Sequence, residues 1–267
     1  MERRMNLNAV FALLLALTAS LTGTARAEKT FYWSMESDTP DLCPAGSDTT
    51  PYYYPAFLRS TAMPRTGSYS LDLNGGAWRA ATFDNPTNND VWCSTQEGAV
   101  QFYWMTTGGL TGGEMLFQIT GKSKIASLDT NDGLSVRFHG NIELDFGYGW
   151  DGPNWGGISV RYHNWAPFQT NHWYRITARW NTATAPYLWL QVDDAAPVSG
   201  TTAPQPMLCE AFHQVLIGND RNTSPLGLYI DDFTIYDDFA MTPEPGTVLL
   251  LALGGLTLVR RRRQQPQ

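Results

Sequence analysis

The sequence predicts an all-β domain, a sandwich or barrel of short antiparallel strands. Three observations carry this. All ten tryptophans, all twelve tyrosines and eleven of the twelve phenylalanines lie between residues 28 and 240, and aromatic side chains suit pleated surfaces. Short apolar or alternating runs recur there, separated by turn clusters such as NGG at 74–76, TNDG at 130–133 and DGPN at 151–154. No segment between the two ends sustains a helical period.

In chain order the strand candidates are SYSLDL at 68–73, AVQFYWMT at 99–106, EMLFQI at 114–119, LSVRFH at 134–139, IELDFG at 142–147 and GISVRYH at 157–163. They continue with WYRITARW at 173–180, YLWLQV at 187–192, QVLIG at 214–218 and GLYIDDFTIY at 227–236. The clearest alternation is at 173–180, with Tyr174, Ile176, Ala178 and Trp180 on one face and Trp173, Arg175, Thr177 and Arg179 on the other. The loop NTATAP joins it to the next run as a hairpin. Ten or more short strands with frequent turns point to a sandwich or barrel. The chain shows no repeat of fixed period, and the polar stretch 37–50 is the one linker-like segment.

The two ends are of a different character. Residues 1–27 place Arg3 and Arg4 before an apolar run and close on Ala25-Arg26-Ala27, the pattern of a secretory signal peptide cleaved after Ala27. At the other end, the 14 uncharged residues 246–259 run directly into Arg260, Arg261, Arg262 and Arg263. As a helix they span about 21 Å, short of a hydrocarbon core of about 30 Å, so they make a marginal anchor. The arginines fit the cytoplasmic flank of such a segment, which leaves the bulk of the chain on the far side. The expected organisation is a signal peptide at 1–27, one folding unit at 28–240 and a sorting tail at 241–267.

The folding unit holds 11 of the 18 basic and 23 of the 25 acidic residues, a formal charge of −12 against −7 for the whole chain. That excludes nucleic acid as a partner, because phosphate binding needs clustered Lys and Arg. It is compatible with neutral glycans or with cations. Cys43, Cys93 and Cys209 form no C-x-x-C pair. In an oxidising compartment three cysteines give one disulfide and one leftover thiol, with three pairings open.

The succession SLDLNG, GAVQFYW, HWYRITARW, LWLQVDD, LIGND and GLYIDDFTIYD, over residues 71–237, resembles the concanavalin A-like lectin/glucanase superfamily, in particular its laminin-G-like jelly rolls. The resemblance implies two curved antiparallel sheets packed face to face, with the concave sheet and its bordering loops as the ligand surface. A fold of this kind does not by itself imply an activity. The tail TPEPGTVLLLALGGLTLVRRRR, with Pro243-Glu244-Pro245, a short apolar helix and the terminal arginines, resembles the PEP-CTERM sorting signal of exopolysaccharide-producing Gram-negative bacteria. That resemblance implies recognition and removal by an exosortase-type enzyme in the membrane, after which the domain is released or held at the cell surface or in the extracellular matrix. The membrane helix is then transient, as in other removable hydrophobic tails.

Candidate chemistry centres on the strand at 142–147. Jelly-roll glycoside hydrolases carry E-x-D-x-x-E or E-x-D-x-E there, which sets nucleophile, helper and general acid on one strand face. Glu143 and Asp145 match the first two positions, while Gly147 or Tyr148 stands where the acid belongs. Without a proton donor the leaving group loses roughly 10²- to 10⁴-fold in rate. Gly147, Gly149 and Gly152 fit G-x-G-x-x-G in form, but Pro153 and the following strand deny the helix a dinucleotide site requires. The same loop offers a sugar site: Tyr148, Trp150, Asp151, Asn154 and Trp155, with Trp165 further on, mix flat apolar rings with short hydrogen-bonding side chains.

The four histidines lack zinc-site spacing and no G-x-S-x-G elbow is present. No cofactor is implied. Asp193, Asp194, Asp220, Asp231 and Asp232 stand near strand ends, where related jelly rolls hold calcium, and a structural calcium assembled from several segments is compatible with them. No contiguous loop supplies the six to eight or so oxygens that calcium takes.

The leading expectation is therefore a secreted, non-catalytic, lectin-like protein that binds polysaccharide. A glycoside hydrolase using Glu143 and Asp145, and a purely structural surface protein, are the alternatives. The intact mass of the protein recovered from its native cells is expected to show the loss of residues 1–27 and of the tail at 241–267; a full-length mass would refute the double trimming.

Overall fold

The computed structural model describes residues 28–43, 52–54, 59–74, 79–84, 93–94, 96–108, 114–122, 131–138, 142–147, 158–162, 168–201, 203, 211–212, 214–219 and 227–239. These contain seventeen strands. They are β1 (Lys29–Trp33), β2 (Tyr52–Tyr54), β3 (Arg59–Ser60), β4 (Ser70–Asp72), β5 (Arg79–Asp84), β6 (Cys93–Ser94), β7 (Glu97–Thr106), β8 (Glu114–Lys122) and β9 (Asn131–Phe138). There follow β10 (Ile142–Gly147), β11 (Ile158–Tyr162), β12 (Tyr174–Asn181), β13 (Leu188–Val192), β14 (Val198–Gly200), β15 (Ala211–Phe212), β16 (Gln214–Asn219) and β17 (Leu228–Tyr236). Among the described residues no helix is long and apolar enough to cross a membrane; residues 1–27, the expected signal peptide, and the tail at 241–267 lie outside them.

Every pairing is antiparallel. The first sheet runs β14-β13-β12-β7-β17-β4-β3, with β1 also on β17, and the second runs β11-β10-β9-β8-β16-β5-β2. The sequence runs at 99–106, 173–180 and 227–236 all fall in the first sheet, as β7, β12 and β17. On β12 the expected faces hold: Ile176, Ala178 and Trp180 are buried in the core, while Arg175 and Arg179 keep solvent access on the other side.

Aromatic rings join the two sheets. Phe31 of β1 meets Phe83 of β5 edge to face at 5.1 Å, and Phe102 of β7 meets Phe117 of β8 at 5.5 Å. Phe233 of β17 lies 5.5 Å from Phe117, 5.7 Å from Phe102 and 5.9 Å from Phe31. Each such pair adds about 0.5–1.5 kcal/mol beyond its burial.

Phe233 reaches the core because β17 carries one extra residue. Leu228 and Ile230 face inward and so do Phe233 and Ile235, which breaks the two-residue period. The register against β7 shifts between Asp231 and Thr234, and Asp232 takes a left-handed φ of 50°. A bulge of this kind inserts one residue and restores the apolar face beyond it.

The polar stretch expected as a linker at 37–50 begins as ordered chain. Tyr32 and Leu42 exchange two backbone hydrogen bonds at 2.9 and 3.1 Å, and the Asp41 carboxylate accepts the Ser34 N–H at 2.7 Å. An exposed stretch of Ser, Asp and Thr thus folds back on β1 by satisfying its backbone locally.

Glycine is required at 98 for space. A Cβ there would stand 2.3 Å from the Trp180 ring on the paired strand. Gly98→Ala is expected to destabilise the domain by about 1–3 kcal/mol through overpacking, read as a lower urea midpoint; an unchanged midpoint would show that the Trp180 ring has room to shift.

Candidate functional site

Both sheets present an outer face to their surroundings, and the two differ in how their polar groups are used. On the first sheet the register lines up Gln191, Thr177, Gln101, Thr234 and Tyr32 across five strands. Many polar groups of this face are engaged with one another, although Thr30 Oγ1 and Arg175 Nε are buried without a hydrogen-bond partner among the described residues. Gln101 Nε2 donates to Thr177 Oγ1 at 3.1 Å and Gln191 Nε2 donates to the Ala195 carbonyl at 2.9 Å. Arg179 stacks over Trp189 at 4.1 Å and Arg65 over Tyr103 at 3.2 Å. Arg175 donates to the Asp193 carbonyl at 3.0 Å and pairs with Asp194, while Arg65 pairs with Asp232 at 2.6 Å.

The second sheet is different. Its register aligns Ser159, Asp145, Ser135, Gln118, Leu216, Thr82 and Tyr52, one position on each of seven strands. At about 4.8 Å per strand the row is roughly 29 Å long. Leu134 and Val136 lie in the core, as do Phe117 and Ile119, so Ser135 and Gln118 point to the opposite side. Yet Ser135 is 0% exposed and Gln118 only 5%. Ser135 Oγ finds no hydrogen-bond partner among the described residues. A buried hydroxyl without a partner costs about 1–3 kcal/mol, which a bound hydroxyl group would recover.

Asp145 therefore falls in this row, next to Ser135. Glu143, two residues earlier, is directly opposite Arg137 on β9 and Arg161 on β11, an alternation of charge that favours antiparallel pairing. The position two residues beyond Asp145 is Gly147, opposite Gly133 and then, strand by strand, Thr120, Gln214 and Asp84. Asp84 is four strands away, roughly 19 Å, whereas glycosidase carboxyl pairs stand about 5–9.5 Å apart. That row of described residues supplies no partner acid within range.

The loop residues Tyr148, Trp150, Asp151, Asn154, Trp155 and Trp165 lie outside the described residues. The strand ends that border 148–157 are Gly147 and Ile158, at the same sheet end as Lys122 and Asn131. Ser135 and Gln118 were not among the sequence candidates. In LSVRFH and EMLFQI each reads as an ordinary outward polar position, and only the fold shows that the outward side is covered there.

The aspartates considered for calcium are otherwise engaged where they are described. Asp231 Oδ1 accepts the Asp232 N–H, and its Oδ2 accepts those of Arg65 and Thr66. Asp232 accepts from Tyr32 Oη, Arg65 and Thr66 Oγ1. Asp193 Oδ1 accepts the Arg175 N–H at 2.8 Å. N–H and O–H donors occupy the oxygens a cation would need; Asp220 lies outside the described residues.

The family model of the PEP-CTERM protein-sorting motif matches residues 242–263. The chain carries this sorting motif. The match takes in Pro243, Glu244, Pro245 and Arg260 to Arg263, so a PEP-CTERM tail follows the sandwich within a few residues of β17. No curated protein matches the chain in sequence.

Solved structures share the fold. The binding domain of botulinum neurotoxin serotype G is 11% identical with a TM-score of 0.56, covering 79% of this chain and 48% of its own. The receptor binding domain of botulinum neurotoxin D is 13% identical at a TM-score of 0.56, covering 85% and 52%. The serotype D ligand binding domain in complex with N-acetylneuraminic acid is 15% identical at 0.52, covering 79% and 48%. The chain spans about half the length of these structures. At such identities the likeness establishes the β-sandwich fold and not a site.

Cys43 is a free thiol, half-buried against the core. Burial pushes it above the usual thiol range, and only the thiolate reacts. Its alkylation by iodoacetamide is expected to be slow at pH 7 and to keep climbing above pH 9; resistance to alkylation throughout would show Cys43 in a disulfide.

Proposed function

We propose that the PEP-CTERM protein is exported, trimmed at its tail by an exosortase-type enzyme, and acts at the cell surface or in the extracellular matrix as a non-catalytic, lectin-like binder of polysaccharide. The folding unit is residues 28–240. The ligand surface is the outer face of the second sheet, together with the aromatic loop residues Tyr148, Trp150, Asp151, Asn154, Trp155 and Trp165.

The observation that supports this reading is the run of polar positions Ser159, Asp145, Ser135 and Gln118 on the side of the second sheet away from the core; Ser135 and Gln118 are themselves covered, so a sugar reaches them only when that cover moves. Sugars supply the hydroxyl donors and acceptors such a row needs, and an extended chain of them fits a row crossing seven strands. The charge of −12 on the folding unit disfavours a polyanion and favours a neutral polymer. The complex of a structural neighbour with N-acetylneuraminic acid supports the sugar reading as an analogy of fold. Among the described residues, the row through Gly147, where the third acid of the motif would stand, holds no acid nearer than Asp84, which supports binding over hydrolysis.

The test is retention of the exported protein on immobilised neutral and acidic polysaccharides. Neutral polymers are expected to retain it at both low and high salt. Ser135→Ala and Gln118→Leu are each expected to weaken retention by roughly three- to tenfold, the worth of one neutral hydrogen bond. Release of reducing sugar by the wild type, abolished in Glu143→Gln, would replace this reading with a hydrolase; retention by no glycan would end it.

A further inference from the structure

The segment between β3 and β4, residues 61–69, is fastened by carboxylates from two other places in the chain. Glu36 Oε1, just past β1, accepts the Ser68 N–H at 2.9 Å and the Tyr69 N–H at 3.0 Å. Asp231 Oδ2 accepts the Arg65 N–H at 3.0 Å and the Thr66 N–H at 3.4 Å. Asp232 Oδ2 binds the Arg65 guanidinium at 2.6 Å and accepts the Thr66 hydroxyl at 3.1 Å. Gly67 turns the segment at a φ of 63°, and a Cβ there would strike Glu36 Oε1. The Arg65 guanidinium lies flat over the Tyr103 ring.

Asp231 is the odd member of this set. Strand alternation directs it away from the core, on the side opposite Leu228 and Ile230, and yet it is 0% exposed. A carboxylate buried in this way is costly when charged. It regains water if the segment lifts.

We propose that residues 61–69 form a proton-operated strap: with Asp231 uncharged the strap stays closed on the first sheet, and ionisation of Asp231 favours its release, which uncovers Tyr103. This stands apart from the glycan reading and uses the other sheet. The groups facing Asp231 and the strap are Asp232, Tyr32 and Tyr103 on the sheet side, Arg65 on the strap itself, Glu36 under residues 67–69, Asp41 near Tyr32, and Arg59. Arg59 pairs with Asp38 and stacks on Tyr69. Tyr32 stays protonated through the neutral range, since burial and Asp232 push it up to about 12.

The sign follows from linkage. Burial raises the Asp231 carboxyl to about 7, against the lowering effect of its backbone N–H donors and with Asp232 adding to the rise. Once the strap is open the group is solvated, with a value near 4. The closed state therefore binds the proton more tightly. Its advantage is fully present below about pH 4 and is lost as pH rises through about 7.

The experiment is hydrogen–deuterium exchange of the exported protein over residues 61–69 from pH 5 to pH 9, corrected for intrinsic exchange. Protection is expected to fall as pH rises through neutrality, by at most tenfold per pH unit for one proton. Asp231→Asn, which keeps the site uncharged, is expected to hold protection constant, while Glu36→Gln lowers it at every pH without moving the pH at which it falls. If Asp231→Asn does not fold, carbon-13 titration of the wild-type aspartates provides the check, with one carboxyl titrating in step with exchange at residues 65 and 66. Protection independent of pH, protection that rises with pH, or an unchanged profile in Asp231→Asn would each overturn the proposal.

Discussion

The two sheets of this sandwich meet on a seam of aromatic rings, with Phe233 at the junction of three of them. Phe233 touches Phe31, Phe102 and Phe117, so strands from both layers converge on a side chain in β17. Its inward position depends on the single extra residue at Asp231 and Asp232. Were the same residues paired without the bulge, strict alternation would turn Phe233 outward and drive Asp232 into an apolar core. The bulge is therefore the constraint from which much else follows. It keeps the aromatic seam intact and leaves two adjacent carboxylates at one place on the outer face, where residues 61–69 close over them.

The two outer faces divide labour. On the first sheet each described arginine is stacked on a ring or paired with a carboxylate and the amides bond to neighbours, while Thr30 Oγ1 and Arg175 Nε remain without a described partner. On the second sheet a hydroxyl and an amide are buried on the side away from the core, and the Ser135 hydroxyl has no described partner. Satisfied surfaces serve stability, whereas an unsatisfied buried group is a standing cost that a ligand can remove.

Much of the architecture was legible in the sequence because aromatic and alternating runs are long in β7, β12, β13 and β17. The strands that escaped notice are short or weakly patterned: β5 holds two consecutive alanines, β2 is three tyrosines, and β1 begins within two residues of the N-terminal segment 1–27. Within β17 the change of parity between Leu228 and Ile230 on one side and Phe233 and Ile235 on the other was readable, and it marks the bulge. The burial of Ser135 and Gln118 was not readable, because a polar residue between two apolar ones looks the same whether water or protein lies over it. Glu143 and Asp145 looked alike in the string E-L-D, and only the register separates them, one between arginines and the other between serines.

The pairing of β1 with β17 has a topological result. Lys29 faces Tyr236, the Glu28 N–H donates to the Asp237 carboxylate at 2.7 Å, and the Asp237 N–H donates to the Glu28 carbonyl at 3.1 Å. The first and last strands thus begin and finish at one pole of the sandwich. The proposed cuts, before Glu28 and after residue 240, fall outside both strands, so neither would open a strand pair.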